Sequence, residues 1–397
     1  MILAAADLIA QNGLEAASAR AVAAAAGTAP SAINYNFGAL EQLLSQAFTR
    51  GAARTAAWIE AREIELLALP RTPASAALAL EFALTAWTRE ARPLALLYQE
   101  GLAAMAGQEP VAGWTRLWRD LWLRLAEAFG LSPTDGRLMH FFFESEALYH
   151  LSVWSPALDQ AALRETSGHF ATLWLGAPSS PILGALTTAE RAAGTRAVGS
   201  IAPAAARITE AAAQVIEAGG LGALTHRAVA ARAGVTTGAV THHFRTIEGL
   251  VAGAIRGQVA LMSQTLDYDL GPDHRSVEQL ETVATLKEAL GRVAGDGAEM
   301  ETASARRHLF LAALRRPDMA SAGAVIRYAH GGTVRDALGR IFHIELPDLP
   351  LHAGVLSRLL AAHRLATSAD TDRARLRQAL VAETIERLFR RLEARVN

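Results

Sequence analysis

The stretch MILAAADLIAQNGLEAASARAVAAAAGTAPSAINYNFGALEQLL, residues 1–44, decides the fold because the chain contains it twice. The second copy, ITEAAAQVIEAGGLGALTHRAVAARAGVTTGAVTHHFRTIEGLV, occupies residues 208–251, and the two align without a gap, with 18 of 44 positions identical. Their offset of 207 residues is far longer than the roughly 20–50 residues of a solenoid repeat. The sequence therefore predicts two copies of one protein fused into a single chain.

Each copy of this stretch predicts three short helices. The first helix, residues 2–11 or 208–218, carries apolar residues at helical spacing and ends at glycine. Ser18 and Thr225 occupy the N-cap position of the second helix. A turn containing glycine follows, and the third helix runs through SAINYNF or TGAVTHHF. This order is typical of a helix-turn-helix, whose last helix enters the DNA major groove.

Both copies carry the same motifs, namely Ser18-Ala-Arg20-Ala-Val22-Ala23, Ala26-Gly27 and Tyr35-Asn-Phe37 in the first, and Thr225-His-Arg227-Ala-Val229-Ala230, Ala233-Gly-Val-Thr236 and His243-Phe244 in the second. At these residues the chain resembles the TetR family of bacterial transcriptional repressors. The resemblance covers about 45 residues in each copy, roughly a quarter of the chain. It implies an all-α fold in which each DNA-binding domain precedes a helical-bundle regulatory domain. It also implies a double-stranded DNA operator and a small-molecule effector.

The sequence departs from the family pattern at several positions. Ala29 stands where the family has a serine that caps the third helix, so Thr28 is the candidate cap one residue earlier. Leu40 and Ile247 stand where the family has a phosphate-binding lysine, and His242 replaces a tyrosine. Each copy is therefore expected to have lost one contact to the DNA backbone.

The residues expected to contact DNA are the helix caps, the polar residues of the third helices and the nearby cations. They are Ser18, Arg20, Thr28, Ser31, Asn34, Tyr35, Asn36, Thr225, Arg227, Thr236, Thr237, Thr241, His242, His243 and Arg245. Phosphate neutralisation dominates DNA affinity. The net charge is −2 over residues 1–44 and zero over 208–251, which makes the second copy the stronger predicted DNA binder. The first copy either still binds DNA through its polar residues or is kept for packing.

Composition excludes several classes of protein. The 397 residues are 51% hydrophobic, which predicts two or more buried domains, and the net charge of −1 gives no overall basic field. The absence of cysteine removes disulfides and thiolate catalysis. No phosphate loop, nucleophile elbow or HExxH motif occurs, so neither an enzyme nor a cofactor is expected. Without a signal-peptide or membrane-span pattern, the expected location is cytoplasmic.

Helical patterning between proline and glycine residues divides the chain further. We expect helix-turn-helix domains at 1–48 and 204–254, helical regulatory and dimerisation domains at 49–178 and 255–397, and a linker at 179–203 within a loop over 176–203. The first regulatory domain is predicted to contain helices at 73–92, 93–107, 111–129, 133–154 and 156–176. The second is predicted to contain helices at 276–293, 299–315, 319–342, 351–368 and 372–396.

In TetR-like proteins the last two helices of each subunit form a four-helix bundle, to which residues 133–176 and 351–396 correspond here. Pairing within one chain would make an intrachain pseudo-dimer whose two different DNA-binding domains match an imperfect inverted repeat. Pairing between two chains would make a homodimer with four such domains. The sequence leaves both arrangements open.

All seven tryptophans precede residue 179, and Trp114, Trp118 and Trp122 recur on one helix face. Aromatic side chains suit an apolar or aromatic effector, although they also suit an ordinary core. The candidate pocket residues are Trp87, Tyr98, Trp118, Trp122, His140, Phe142 and Phe143. His140 with Glu144, and Glu146 with His150, have the spacing of metal ligands, but they lie on different helix faces with no third cluster, so no metal is predicted.

Two functional hypotheses follow. The first is a ligand-responsive repressor in which the effector moves the first regulatory helix, residues 52–69 or 252–266, as a lever. The alternative is a protein-binding antirepressor, or partner-dependent regulator, whose DNA-binding domains have decayed.

Overall fold

A computed structural model describes residues 1–105, 107–197, 203–219, 221–247, 249–251, 253–254, 307, 310–316, 319–329, 331–342, 348–365, 379 and 382–390. Within these ranges the chain is all-α and contains no strand, in agreement with the sequence analysis. None of the helices in these ranges is long and apolar enough to cross a membrane.

The first copy contributes ten helices to the described residues: α1 (Ile2–Asn12), α2 (Ala19–Ala25), α3 (Ser31–Phe37), α4 (Leu40–Leu67), α5 (Ser75–Arg89), α6 (Arg92–Met105), α7 (Val111–Ala128), α8 (Pro133–His150), α9 (Pro156–Trp174) and α10 (Ala185–Ala197). The second copy contributes α11 (Pro203–Gly219), α12 (His226–Ala233), α13 (Thr237–His243), α14 (Ala320–Ala329), α15 (Gly332–Phe342) and α16 (Leu349–Leu365). Residues 310–314 and 382–390 are also helical.

The five helices predicted for the first regulatory domain are confirmed as α5 to α9, with ends that differ by a few residues. The single helix predicted over 319–342 is instead two, because the chain breaks at Gly331, whose φ is 97°. The helix predicted over 276–293 lies outside the described residues, as does most of the lever predicted over 252–266.

The prediction of a loop over residues 176–203 is wrong for the central part of this range, which forms α10. Ala185, Leu186, Ala189 and Ala193 lie on one face of this helix and are all buried. That face packs on α9 and α14. The apolar stripe therefore outweighs the glycine and proline content that suggested a linker.

The helix α4 joins the first helix-turn-helix to the regulatory helices without a break. It begins at Leu40 and ends at Leu67, so the boundary predicted after residue 48 and the lever predicted from residue 52 both fall inside it. At Gly51 the helix passes close to α7, because a Cβ atom there would lie 2.6 Å from the ring of Trp114. The helix α4 therefore contacts both the regulatory helix α7 and the helices α1 and α3 of the first helix-turn-helix.

The two copies meet in a seam of helices, formed by α8 and α9 from the first copy and by α16 and residues 382–390 from the second. Trp174 donates its indole N–H to the carbonyl of Thr384 at 3.2 Å. Arg387 pairs with Asp135 at 2.6 Å, and this aspartate also caps the start of α8. The four helical segments predicted to form a bundle thus pack together within one chain.

Buried charges cross this seam. Glu146 on α8 accepts a hydrogen bond from Arg358 on α16, and Arg327 on α14 lies 3.6 Å from the same carboxylate. Arg327 also donates to His150 Nδ1 at 2.7 Å and lies 3.6 Å from Asp159. Burial, reinforced by the positive charge of Arg327, lowers the pKa of His150 well below its usual range. Two arginines therefore balance two carboxylates in the interior.

We predict that Arg358→Leu lowers the free energy of unfolding by about 3–5 kcal/mol, because it leaves Glu146 buried with only the more distant Arg327. The double variant Arg358→Leu/Glu146→Leu should recover most of the loss. Urea unfolding followed by circular dichroism measures both. The exposed Arg390→Leu is the control and should have little effect. A double variant no more stable than the single one would contradict the assignment.

Candidate nucleic-acid interface

The first helix-turn-helix forms around a small apolar core. Its core contains Ile9 of α1, Val22 of α2 and Ile33 of α3, each of which is at most 1% exposed. Ser18 accepts a hydrogen bond from the backbone N–H of Ala21 at 3.3 Å, which confirms it as the cap of α2. These contacts fix α3 with its opposite face towards solvent.

The second helix-turn-helix repeats this geometry. Thr225 caps α12 through the N–H of Ala228 at 3.1 Å. The turn that follows contains Gly234 with φ 65°, and its counterpart Gly27 has φ 64°. Both are left-handed conformations that favour glycine. The backbone conformation of the turn therefore explains why both copies have glycine there.

The two third helices differ in how they begin. Thr236 caps α13 by accepting from the N–H of Ala239 at 3.2 Å. In the first copy Pro30 precedes α3, and no side chain caps the helix. The prediction that Thr28 caps α3 is wrong: its backbone N–H bonds to Ala23, and the first turn of α3 is closed by bonds between residues three apart, such as Ala32 N–H to the carbonyl of Ala29 at 3.0 Å.

The candidate residues of the first copy are exposed to solvent, except Thr28, which is half-buried. Tyr35 is 90% exposed, and Arg20, Ser31 and Asn34 are also exposed. Asn36 is exposed as well, but its Nδ2 donates to the carbonyl of Ala32 at 2.7 Å. One of the two amide donors of Asn36 is therefore engaged within its own helix.

The candidate residues of the second copy are likewise exposed. The rings of His242 and His243 touch, with centroids 5.3 Å apart. Thr241 donates its hydroxyl to the carbonyl of Thr237 at 3.0 Å, so its hydrogen is already used. Ser18, Thr225 and Thr236 differ in this respect, because a cap hydroxyl accepts from the backbone and keeps its hydrogen to donate.

The cations of the two copies are not equally available. Arg227 and Arg245 are exposed, and neither forms a hydrogen bond or ion pair with another described residue. Arg232 donates to Gln214 at 2.8 Å, and His226 lies 2.6 Å from the carbonyl of Phe244. In the first copy Arg20 is the corresponding exposed cation. The second helix-turn-helix therefore has two exposed guanidinium groups, those of Arg227 and Arg245, that form no hydrogen bond or ion pair with another described residue. The first has one exposed arginine, Arg20.

The seven candidate pocket residues fall into three groups. Trp87, Trp118, Trp122 and Phe143 belong to a cluster that includes Trp58, with neighbouring ring centroids 4.4–5.8 Å apart. The indole N–H groups of Trp87, Trp118 and Trp122 are buried and have no hydrogen-bond partner among the described residues. Because the rings contact one another, their arrangement also suits a packed core.

Tyr98 and His140 belong to the second group, which is polar. The Tyr98 hydroxyl donates to Glu144 at 2.7 Å, and His140 Nε2 lies 3.4 Å from the same carboxylate. Burial, followed by the charge of Glu144, raises the pKa of Tyr98 well above its usual range. Phe142 alone forms the third group, because it stacks on Phe170 of α9 at 4.7 Å.

One contact to the first helix-turn-helix was not predicted from the sequence. Glu100 on α6 accepts from the backbone N–H of Leu14 at 3.1 Å and pairs with Arg315 at 2.7 Å. Arg315 also donates to the carbonyls of Ile9 and Ala10 near the end of α1, at 3.3 and 3.4 Å. A cation is favourable at a helix C-terminus, where carbonyls lack helical partners. An arginine of the second copy thus holds α1 of the first.

We predict that Thr236→Ala destabilises the second helix-turn-helix by about 1 kcal/mol, because the N–H of Ala239 loses its cap. Amide hydrogen exchange over residues 226–243 measures the effect. The matched control is Thr237→Ala, one residue along the same exposed helix, and it should cost well under about 0.5 kcal/mol. Equal effects of the two substitutions would show that the cap is not the stabilising contact.

The model of the family described as bacterial regulatory proteins, tetR family, matches the chain twice, at residues 2–47 and 208–254. A search of curated proteins found no significant match. The two matched ranges coincide with the two helix-turn-helix units, which share their caps, turn glycines and exposed third helices. The chain therefore carries two helix-turn-helix domains of the tetR family in tandem.

Proposed function

We propose that the chain is a ligand-responsive transcriptional repressor that binds one imperfect inverted-repeat operator and is released by a small apolar or aromatic effector. The observation that carries the proposal is the seam, in which α8 and α9 of one copy pack on α16 of the other. The two exposed third helices thereby belong to a single unit. Their residues differ, so the two half-sites are expected to differ.

The second helix-turn-helix is expected to supply most of the DNA affinity. Each guanidinium that neutralises a phosphate releases a counterion and strengthens binding. Arg227 and Arg245 are uncommitted and exposed, whereas the first domain has only Arg20 on the equivalent surface. The first domain would contribute register and base contacts through Asn34 and Tyr35.

The seam also supports pairing within one chain over a homodimer. Glu146 and Asp159 of the first copy are buried against Arg327 and Arg358 of the second. A pairing of two first copies would separate Glu146 from both of these arginines. A buried carboxylate without its cation is strongly destabilising, so the mixed pairing is preferred.

Effector response requires a path from the regulatory helices to the DNA-binding surface. The continuous helix α4 carries Trp58, which belongs to the aromatic cluster, and also packs on α1 and α3. Glu100 on α6 provides a second connection, through Leu14. An effector that separates the rings would displace α4 through Trp58, and the first helix-turn-helix would move with it.

A second candidate function is an antirepressor that binds a related protein and no longer binds DNA. The observation in its favour is the weakness of the first helix-turn-helix, whose third helix lacks a side-chain cap and whose 44 residues carry a net charge of −2. Salt-dependent DNA binding separates the two candidates.

We predict tight binding of the full chain to its own upstream DNA, with an affinity that falls steeply as salt rises. Fluorescence polarisation over a range of salt concentrations measures it. Arg227→Ala/Arg245→Ala should reduce the slope of log K against log salt by roughly 2, since each lost phosphate contact removes about 0.9. Arg20→Ala, which removes one cation from the first domain, should reduce it by about half as much. Weak binding at every salt concentration would favour the antirepressor.

The mass of the DNA-free chain tests the pairing. Light scattering coupled to size exclusion should give about 42 kDa, the mass of one chain, because the seam is satisfied internally. A stable mass of twice that value would instead support a homodimer with four DNA-binding domains.

We predict that Arg315→Ala loosens the first helix-turn-helix, because the carbonyls at the end of α1 and the carboxylate of Glu100 lose their shared cation. Amide exchange over residues 2–14 should accelerate by an amount equivalent to about 1–3 kcal/mol. The control is Arg119→Ala, which removes an exposed ion pair with Asp120 and should leave that exchange unchanged. Unchanged exchange in Arg315→Ala would exclude this coupling.

A further inference from the structure

Three side chains with metal-ligating atoms converge inside the seam. His169 lies on α9 of the first copy, Asp348 immediately precedes α16 of the second, and His352 lies one turn into α16. All three are buried, and one ligating atom from each lies within 4.8 Å of the others. They are the one such group of three histidine or acidic residues among the residues that the structure describes.

The distances between the ligating atoms are short. His169 Nε2 lies 3.1 Å from His352 Nδ1, and the two rings are inclined at 69° with centroids 4.6 Å apart. His352 Nδ1 lies 3.9 Å from Asp348 Oδ2 and 2.7 Å from the backbone carbonyl of Asp348. Asp348 and His352 are four residues apart, so they project from successive turns onto the same side of the helix.

We propose that His169, Asp348 and His352 form a binding site for one divalent transition-metal ion of the zinc type. Two imidazoles and a carboxylate are a donor set that zinc uses with three protein ligands and one open position. With bonds of about 2.0–2.1 Å, a tetrahedral ion holds its ligand atoms roughly 3.3–3.4 Å apart. The nitrogen pair at 3.1 Å is close to that value, and Asp348 Oδ2 needs to approach His352 Nδ1 from 3.9 Å by about half an ångström. All three ligating atoms already lie within 4.8 Å of one another.

The atoms around His352 Nδ1 suit a cation. They are the nitrogen of His169 and two oxygens of Asp348. The oxygens present lone pairs, and each imidazole nitrogen presents one in the tautomer that carries its hydrogen on the other ring nitrogen. With the imidazoles in those tautomers, a cation among these atoms is attracted by each of them. In a site this deeply buried, that attraction is screened little by water.

The other histidine pairs of the chain lack this convergence. His140 and Glu144 have the same spacing, but Glu144 is engaged by Tyr98, and the described residues offer no third ligand there. His242 and His243 touch on the exposed surface of α13. They provide the natural control for nonspecific metal binding.

An ion at this site would join α9 of one copy to α16 of the other. It would therefore stabilise the seam directly, without contacting either helix-turn-helix. The proposal does not depend on DNA binding, and its test requires neither an operator nor an effector.

The test is a titration of the full-length chain, first stripped with a chelator, with Co²⁺ followed by visible absorption and with Zn²⁺ followed by calorimetry. We expect one ion per chain, a Co²⁺ spectrum typical of four-coordinate nitrogen and oxygen ligands, and a melting temperature raised by several degrees with Zn²⁺. His169→Gln, His352→Gln and Asp348→Asn should each weaken binding by at least about tenfold. His242→Gln/His243→Gln should bind as the parent does.

Absence of stoichiometric binding would overturn the proposal, as would loss of binding only in the His242→Gln/His243→Gln control. Circular dichroism without metal shows whether each variant folds. If His352→Gln does not fold, His169→Gln on the other helix and the nearly isosteric Asp348→Asn decide the outcome. Unchanged affinity in both of these would mean that the histidine pair is a metal-free hydrogen bond.

Discussion

The structure depends on the pairing of Glu146 with Arg358 and Arg327 across the seam between the two copies. A carboxylate this deeply buried is tolerated only where cations and hydrogen-bond donors surround it. Both arginines come from the second copy, so these charges join the two copies. These contacts support the pairing proposed above, in which α8 and α9 of the first copy pack on α16 of the second. The relative position of the two helix-turn-helix domains rests on the same contacts.

The two copies have diverged in different directions from one pattern. The first keeps every tryptophan, a dense aromatic cluster and a direct helical link through α4, but its third helix has no side-chain cap and its helix-turn-helix has a single arginine, Arg20. The second keeps the cap Thr236 and has two exposed arginines, Arg227 and Arg245, in its helix-turn-helix. Its Arg315 contacts α1 of the first copy. The proposed division of labour, with effector sensing in one copy and phosphate binding in the other, follows from these differences. The contact of Arg315 with α1 then allows the second copy to influence the DNA-binding domain of the first.

The sequence predicted what local patterns encode. Ser18, Thr225 and the turn glycines affect only the backbone within a few residues of themselves. Both helix-turn-helix domains therefore have the predicted helices. The helices α5 to α9 were predicted correctly because proline and glycine residues mark where they begin and end. Most of the failures were non-local, and the cap proposed at Thr28 was a local one. The apolar stripe of α10 stabilises this helix only when α9 and α14 cover it. Thr28 was proposed as a cap, but the turn before α3 closes through the backbone instead. Glu100 and Arg315 are 215 residues apart in the chain, and His169 and His352 are 183 apart, so no spacing rule indicates either pair.

The covalent link between the copies has a consequence for how such a molecule responds to its own abundance. An ordinary two-subunit repressor separates when it becomes scarce, and its occupancy then varies with the square of its amount. In the intrachain pairing proposed above, the partner surfaces are tethered, so their effective concentration is set by the chain and not by the cell. The paired form persists at any dilution. Occupancy should therefore vary in simple proportion to the number of molecules, down to a few copies per cell.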